Sequence, residues 1–240
     1  MPGWRFVFFV SAAVSAGAGS LMLAFGVEPR LADPDAPPLS LAAALVEMRQ
    51  VWKIRTFKVI LAQGAPGTMP GYAHSFLTMW FELFGFSHFV AAAIRMCFDV
   101  GRVLGSLFSG FVVDTATERH PDHGKACVAQ VCVGSSIVIA SGIFFVLPTA
   151  GASAVGWCCC LLFYGGMISW CTAVNQTTFA DVTPPRIRST IYSLDRVIEG
   201  CIGAASAPLV GVVAVQVYGF DPAQGARDNG AALGTSLGWN

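Results

Sequence analysis

Arg95, Asp99 and Arg102 are spaced four and three apart inside an otherwise apolar stretch, FVAAAIRMCFDVGRVLGSLFSGFVV at 89–113. In a helix that spacing puts all three on one face. A carboxylate beside two guanidinium groups can bind a charged solute, carry a proton, or be neutralised by its neighbours. The stretch is long enough to cross a bilayer as one helix. At 1.5 Å per residue Asp99 lies roughly 15 Å from its start, near the middle of a hydrocarbon core about 30 Å thick. A lone charge at that depth costs about 3 kcal/mol at the least, so such residues face a protein interior or a watery path. Two readings follow. Asp99, Arg102 and Arg95 line a substrate or proton pathway, or Asp99 forms a structural pair with a neighbouring arginine.

Two further groups carry chemistry-bearing side chains. Asp195, Arg196 and Glu199 open the last apolar run, with Asp195 and Glu199 on one face. Asp195 lies about 9 Å from the start of that run, so these charges are expected to reach interfacial water. A gate or ion pair at the mouth on the cytosolic side fits them better than deep substrate contact. Gln63 and His74 join the pathway candidates from an interrupted apolar run, 58–84, which contains Gln63-Gly64, Gly67 and Pro70-Gly71. Pro70 removes a backbone donor and kinks a helix. Broken helices house midplane sites in transporters, and a plain proline kink is the alternative.

Other patterns carry no chemistry. His120 and His123 share one short loop with no further ligand, which argues against a metal site. Asn175-Gln176-Thr177 matches a glycosylation sequon on what is expected to be the cytosolic side. No nucleophile–base set or phosphate-cradling loop is present. No catalytic residue, metal or cofactor is therefore expected, and the chain does not read as an enzyme. The eight cysteines lie in or beside apolar runs without a Cys-x-x-Cys pair and read as packing residues.

The elements that must position these residues are membrane spans. The chain is 55% hydrophobic and 12% charged over 240 residues, with a mean hydropathy of +0.63. Soluble domains carry about 25% charged residues. The lipid bilayer is thus the first partner, and zero net charge gives no case for nucleic acid. Six spans are predicted: 6–27, 58–84, 89–113, 126–147, 156–174 and 189–218. The first closes a segment at 1–27, with Ser11, Ser15 and Gly19 forming a face of small residues. Residues 28–57 form a connector whose second part reads as an interfacial helix capped by Ser40, with Leu41, Leu45, Met48 and Trp52 on one side. Five spans then fill 58–218, and 219–240 reads as a polar extracytosolic loop or tail. Gly101 and Gly105, with Ser106 and Gly110, and later Gly203, Ala207 and Gly211, form close-packing faces. The connectors after spans one, three and five hold nine of the basic residues, and the opposite side only Arg5 and Arg227. The positive-inside rule makes 28–57, 114–125 and 175–188 cytosolic. Trp4, Trp80 and Trp157 are then expected in an outer aromatic belt.

Several pieces resemble the major facilitator superfamily, in its plant, algal and protist branch, and in that family's order. GWRFVFF at 3–9 resembles the opening of the sixth span. VILAQGAPGTMPGYAHSFLTMWFELFGF at 59–86 resembles the seventh span and outer loop. LGSLFSGFVVDTATERHPD at 104–122 resembles the end of the eighth span and its loop motif. ISWCTAVNQTTFADVTPPRIRSTIYSLDRVIEG at 168–200 resembles the tenth-to-eleventh connection and is the most specific piece. NGAALGTSLGWN at 229–240 is similar to the lead-in to a twelfth span. The resemblance implies an all-α membrane protein, six transmembrane helices forming part of a twelve-helix fold whose halves rock about a central site. It implies gating roles for Gly110 and Asp114, which match the loop motif. Thr115 stands where a base usually follows the acid, and the base arrives later, as Arg119. Arg186 and Arg188 match the basic position of the later connector.

The functional expectation is transport of a small solute by alternating access, with a proton or ion coupled through Asp99 as one form of it. The substrate is not legible. With six spans visible where twelve are expected, an incomplete gene product is the preferred reading. The alternative is that a partner or oligomer supplies the missing helices. A truncated, non-transporting protein that acts by helix association is the competing function.

Overall fold

The computed structural model describes residues 3–26, 41–146, 153–221 and 226–238. By internal contacts the chain divides into 1–44 and 45–240. The first unit holds α1 (Gly3–Phe25). Its 23 residues rise about 35 Å, enough to span a bilayer core. Ser40 lies outside the described residues, as does the side chain of Trp4.

The second unit is a helical bundle without strands among the described residues. A helix is present in the 28–57 connector, as expected: α2 (Leu41–Lys53), whose Val51 is buried with Phe57, Leu61, Phe179 and Ile191. The broken run folds as α3 (Arg55–Ala73), a single 3-10 turn at His74–Phe76, and α4 (Leu77–Leu83). Pro66 and Pro70 sit inside α3. A long helix, α5 (His88–Arg119), follows, and Ser87 caps it by accepting from the Val90 amide at 3.4 Å. Next come α6 (Gly124–Ser141), which passes into a π turn at Gly142–Val146, then α7 (Ala154–Ile168) and α8 (Trp170–Val182). The last pieces are α9 (Arg188–Ala204), α10 (Ser206–Gln216) and α11 (Ala226–Gly238).

Among the described residues five helical stretches are long and apolar enough to cross a membrane: Arg5–Phe25, His88–Arg119, Gly124–Val146, Ala154–Val182 and Arg188–Gln216. The expected span at 58–84 is not among them. Its path is helical and long enough, but Arg55, Lys58, Gln63 and the run of glycines and prolines dilute its hydropathy.

Three connectors differ from expectation. Asp114–Arg119 is the last part of α5 rather than a loop, and the turn is confined to 120–123. Nothing between Asp114 and His120 breaks a helix, and Thr117 bonds back to the Val113 carbonyl at 2.7 Å. Polar composition there signals a wetter environment, and Pro121 supplies the stop. In the same way Asn175–Val182 continues α8 instead of opening the 175–188 connector. The expected tail at 219–240 contains α11, whose Leu233 and Leu237 are buried in the main core.

Trp80 and Trp157 are also corrected. Both are buried, at 1% and 2% exposure, rather than lying in an outer belt. Trp80 meets Phe81, Phe84 and Trp157 edge to face, with centroids 5.0, 5.4 and 5.7 Å apart. Its indole N–H donates to the Gly230 carbonyl at 3.1 Å, which ties α11 to α4.

Backbone proximity sets the rest. A Cβ at Gly101 would collide with the Leu162 carbonyl, one at Gly105 with the Gly166 carbonyl, and one at Gly165 with the Phe98 carbonyl. Glycine is what lets α5 and α7 touch along this seam. Gly101 against Leu162 and Gly105 against Gly166 advance by four residues on both helices, as they do when α5 and α7 run in the same direction. Gly64 faces Glu199, Gly203 faces Thr68 and Tyr72, and Ser206 donates to the Met69 carbonyl at 2.9 Å. So α3 and α9 also run parallel, as alternate crossings require. Phe89, Leu107, Phe108 and Phe111 remain exposed on α5, suited to acyl chains rather than water.

Candidate functional site

A cavity of about 1370 Å³ opens between α3, α5, α6, α7, α8 and α9. The reason for an opening here is local. Prolines and glycines at 64–71 leave α3 with few side chains to fill the space, and serines, threonines and small residues face it from α5, α6 and α8. Four of the five pathway candidates line it: Asp99, Arg102, Gln63 and His74. Arg95 does not. It sits one turn before Asp99 and binds it at 3.0 Å, with its guanidinium 4.9 Å from the centre of the Phe98 ring. Asp99 therefore has both features foreseen for it, an arginine partner and a face on the cavity.

One end of the cavity is aromatic. His74 is 1% exposed, 5.2 Å from Phe98, 5.5 Å from Tyr164 and 6.2 Å from Phe144 by ring centroids. Its Nδ1 has no hydrogen-bond partner. The other end is polar, with Gln63, Asn175, Arg196 and Glu199. Along α3, Gln63 and His74 are about 16 Å apart. Hydropathy singles out no aromatic residue as a site residue, so Phe98, Phe144 and Tyr164 were not among the candidates. A histidine followed by an apolar turn gave the only hint.

The mouth charges differ from expectation. Asp195 and Glu199 are each 4% exposed, not open to interfacial water. Glu199 packs against Gly64 and faces Arg196 at 3.7 Å, and Asp195 Oδ1 has no partner. Distance along the helix measures depth, whereas burial here is set by α3 lying across that face. Arg196 and Glu199 line the same cavity as Asp99.

The gating candidates lie apart from it. Asp114 lines a second cleft of about 480 Å³ with Glu118, Lys125 and Asp181. Lys125 binds Asp181 across that cleft, joining the start of α6 to the end of α8. This pair was missed, although opposite charges at two helix ends were visible in the sequence. Arg188 Nη2 donates to the Ala180 carbonyl at 2.9 Å and closes the end of α8. Arg119 is exposed, Gly110 borders open space, and the side chain of Arg186 lies outside the described residues.

Helices of spanning length around a largely apolar cavity that carries four charged side chains suit a membrane carrier, and so does the family comparison: the Major Facilitator Superfamily model matches residues 1–208. The chain belongs to the Major Facilitator Superfamily. Comparison with curated proteins and with solved structures returned no match. As a superfamily member the chain is an integral, multi-pass membrane protein, all-α in fold. The superfamily is one of transporters and not of enzymes. Membership does not favour the competing reading of a non-transporting helix-association protein. Among the described residues no three His, Cys, Asp or Glu gather where a metal ion would fit.

Proposed function

We propose that this chain moves a small solute across the bilayer by alternating access through the large cavity. The observation that carries the reading is the composition of the cavity wall. Asp99, Arg102, Arg196 and Glu199 share one enclosure with hydroxyl and aromatic side chains, inside a bundle whose outer face is apolar. Charges are expensive in such a bundle and are kept where a polar path uses them. Proton or ion coupling is assigned to Asp99, whose carboxylate is 52% exposed while still paired with Arg95. Asp114, with Gly110, Arg119, Arg186 and Arg188, belongs to the gating end, which is taken as cytosolic from the basic-residue count.

The test is solute accumulation in a host making the chain, compared by broad small-molecule profiling with the same host lacking it. The wild-type chain is expected to change the level of at least one solute. Asp99→Asn is expected to return that solute to the host level with expression and melting unchanged. No solute difference overturns the transport reading. Wild-type accumulation by Asp99→Asn overturns the role of Asp99 alone.

A further inference from the structure

The four charges on the cavity wall sum to zero, but with Arg95, which holds Asp99 from outside the wall, three arginines meet two carboxylates. Asp99 is engaged by Arg95 at 3.0 Å, and Glu199 faces Arg196 at 3.7 Å. Arg102 also lines the cavity, and among the described residues no carboxylate lies within ion-pair distance of it. Asp195, the remaining acid of α9, does not line the cavity. His74 also lines it, but its ring is enclosed by aromatic neighbours. The wall therefore presents one cation without a counter-charge.

The position of that cation adds to the argument. In α5, whose 32 residues rise about 48 Å, Arg102 lies about 21 Å from the start, close to the midpoint. A guanidinium carries five donors in a planar fork that matches a carboxylate, and it stays charged at any working pH. Hydroxyl groups line the same cavity: Ser106 is one turn further along α5, and the Ser136 Oγ of α6 has no hydrogen-bond partner. At the aromatic end the wall is made of Phe98, Phe144 and Tyr164, of which Phe144 keeps some exposed ring surface while Phe98 and Tyr164 are buried behind it. Binding sites of this kind hold a ligand body on apolar walls and fix its orientation with a few polar groups.

We propose that the cavity takes an organic anion, with its negative group on Arg102 and a flat, apolar body against the aromatic end. This rests on the transport reading for the identity of the site and adds the class of solute. An organic cation finds on this wall only Asp99 and Glu199, each already facing an arginine, and a neutral analogue leaves the Arg102 fork unused.

The test compares three probes of one ring size and different charge: 1-naphthoate, 1-naphthamide and 1-naphthylmethylammonium. Binding to the full chain in lipid nanodiscs is measured by equilibrium dialysis. Naphthoate is expected to bind at least tenfold more tightly than the other two. Arg102→Gln is expected to bring naphthoate to within twofold of the amide without moving the melting temperature, and Arg102→Lys to keep part of the preference. Equal or tighter binding of the amide or ammonium probe overturns the proposal, as does naphthoate that fails to bind at millimolar concentration. Retained preference in a folded Arg102→Gln overturns the role of Arg102. The three-probe comparison on the unaltered chain decides the charge class even if that variant does not fold. Counterflow in proteoliposomes separates the two readings. Arg102-dependent naphthoate binding without counterflow supports the anion site and removes transport. Counterflow of the ammonium probe alone keeps transport and removes the anion site.

Discussion

The charged groups of α5 and α9 have similar sequences and opposite environments. Each is a short set of acids and arginines on a helix of membrane character. On α5, Asp99 is half-exposed and already paired with Arg95. On α9, Asp195 and Glu199 are buried to 4%, and Asp195 Oδ1 is unpartnered. Depth along each helix predicted the reverse, with the α5 charges deep and the α9 charges wet. The difference comes from what lies opposite. Asp99 and Arg102 look into the cavity with exposed side chains, whereas Glu199 reaches the same wall almost fully covered, against Gly64 of α3, and Asp195 does not line it. A charge in a span is therefore classified by its facing helix, not by its position in the hydropathy run.

The largest expected effect falls on that facing residue. A Cβ at Gly64 collides with the Glu199 carboxylate, while one at Gly110 meets nothing within 4 Å. Gly64→Val displaces the Glu199 carboxylate, the end of a flexible side chain rather than backbone, and is expected to cost about 1–2 kcal/mol, the lower part of the overpacking range. Gly110→Val on the open face is expected to change stability by no more than about 0.5 kcal/mol. Thermal melts in one detergent check both. Equal melting of the two variants would remove Gly64 as the reason Glu199 is buried.

A smaller effect of opposite sign is expected at Asp195. A buried oxygen without a partner carries its desolvation cost uncompensated. Asp195→Asn keeps the shape and removes the charge, so it is expected to stabilise the protein by about 1 kcal/mol. The same melts read it. A lower melting temperature would mean that the Asp195 carboxylate has a counter-charge in the working protein, and the contrast with α5 would narrow.

Much of this was legible from residue types. Apolar runs gave all five helices that qualify as spans, and the 3.6-residue period put Arg95 and Asp99 in contact. Glycines at four-residue spacing marked the α5–α7 seam at Gly101 and Gly105. Helix ends were less legible, because Asp114–Arg119 and Asn175–Val182 are polar in composition yet contain nothing that stops a helix. The tail was misread for the same reason, since its burial depends on Trp80 and Phe84, far away in sequence. The cavity was legible only in part. Charges announce themselves against an apolar background, but Phe98, Phe144 and Tyr164 look like any core residue until the helices bring them to His74.

The smallest effect is expected at Asp99, and it is the one that gives the functional test its meaning. Asp99 is 52% exposed and its partner lies one turn away on the same helix. Such an i,i+4 pair contributes roughly 0.3–0.5 kcal/mol, because water already solvates half of the carboxylate. In Asp99→Asn the largely buried Arg95 guanidinium keeps its contact with the Phe98 ring at 4.9 Å, and the amide oxygen can still accept from it. Melting is therefore expected to shift by about a degree or two at most. With stability held constant, lost accumulation in this variant reports on the cavity and not on folding. A large drop in melting temperature would instead make Asp99 a structural residue like Glu199, and the two helices would then differ in geometry but not in kind.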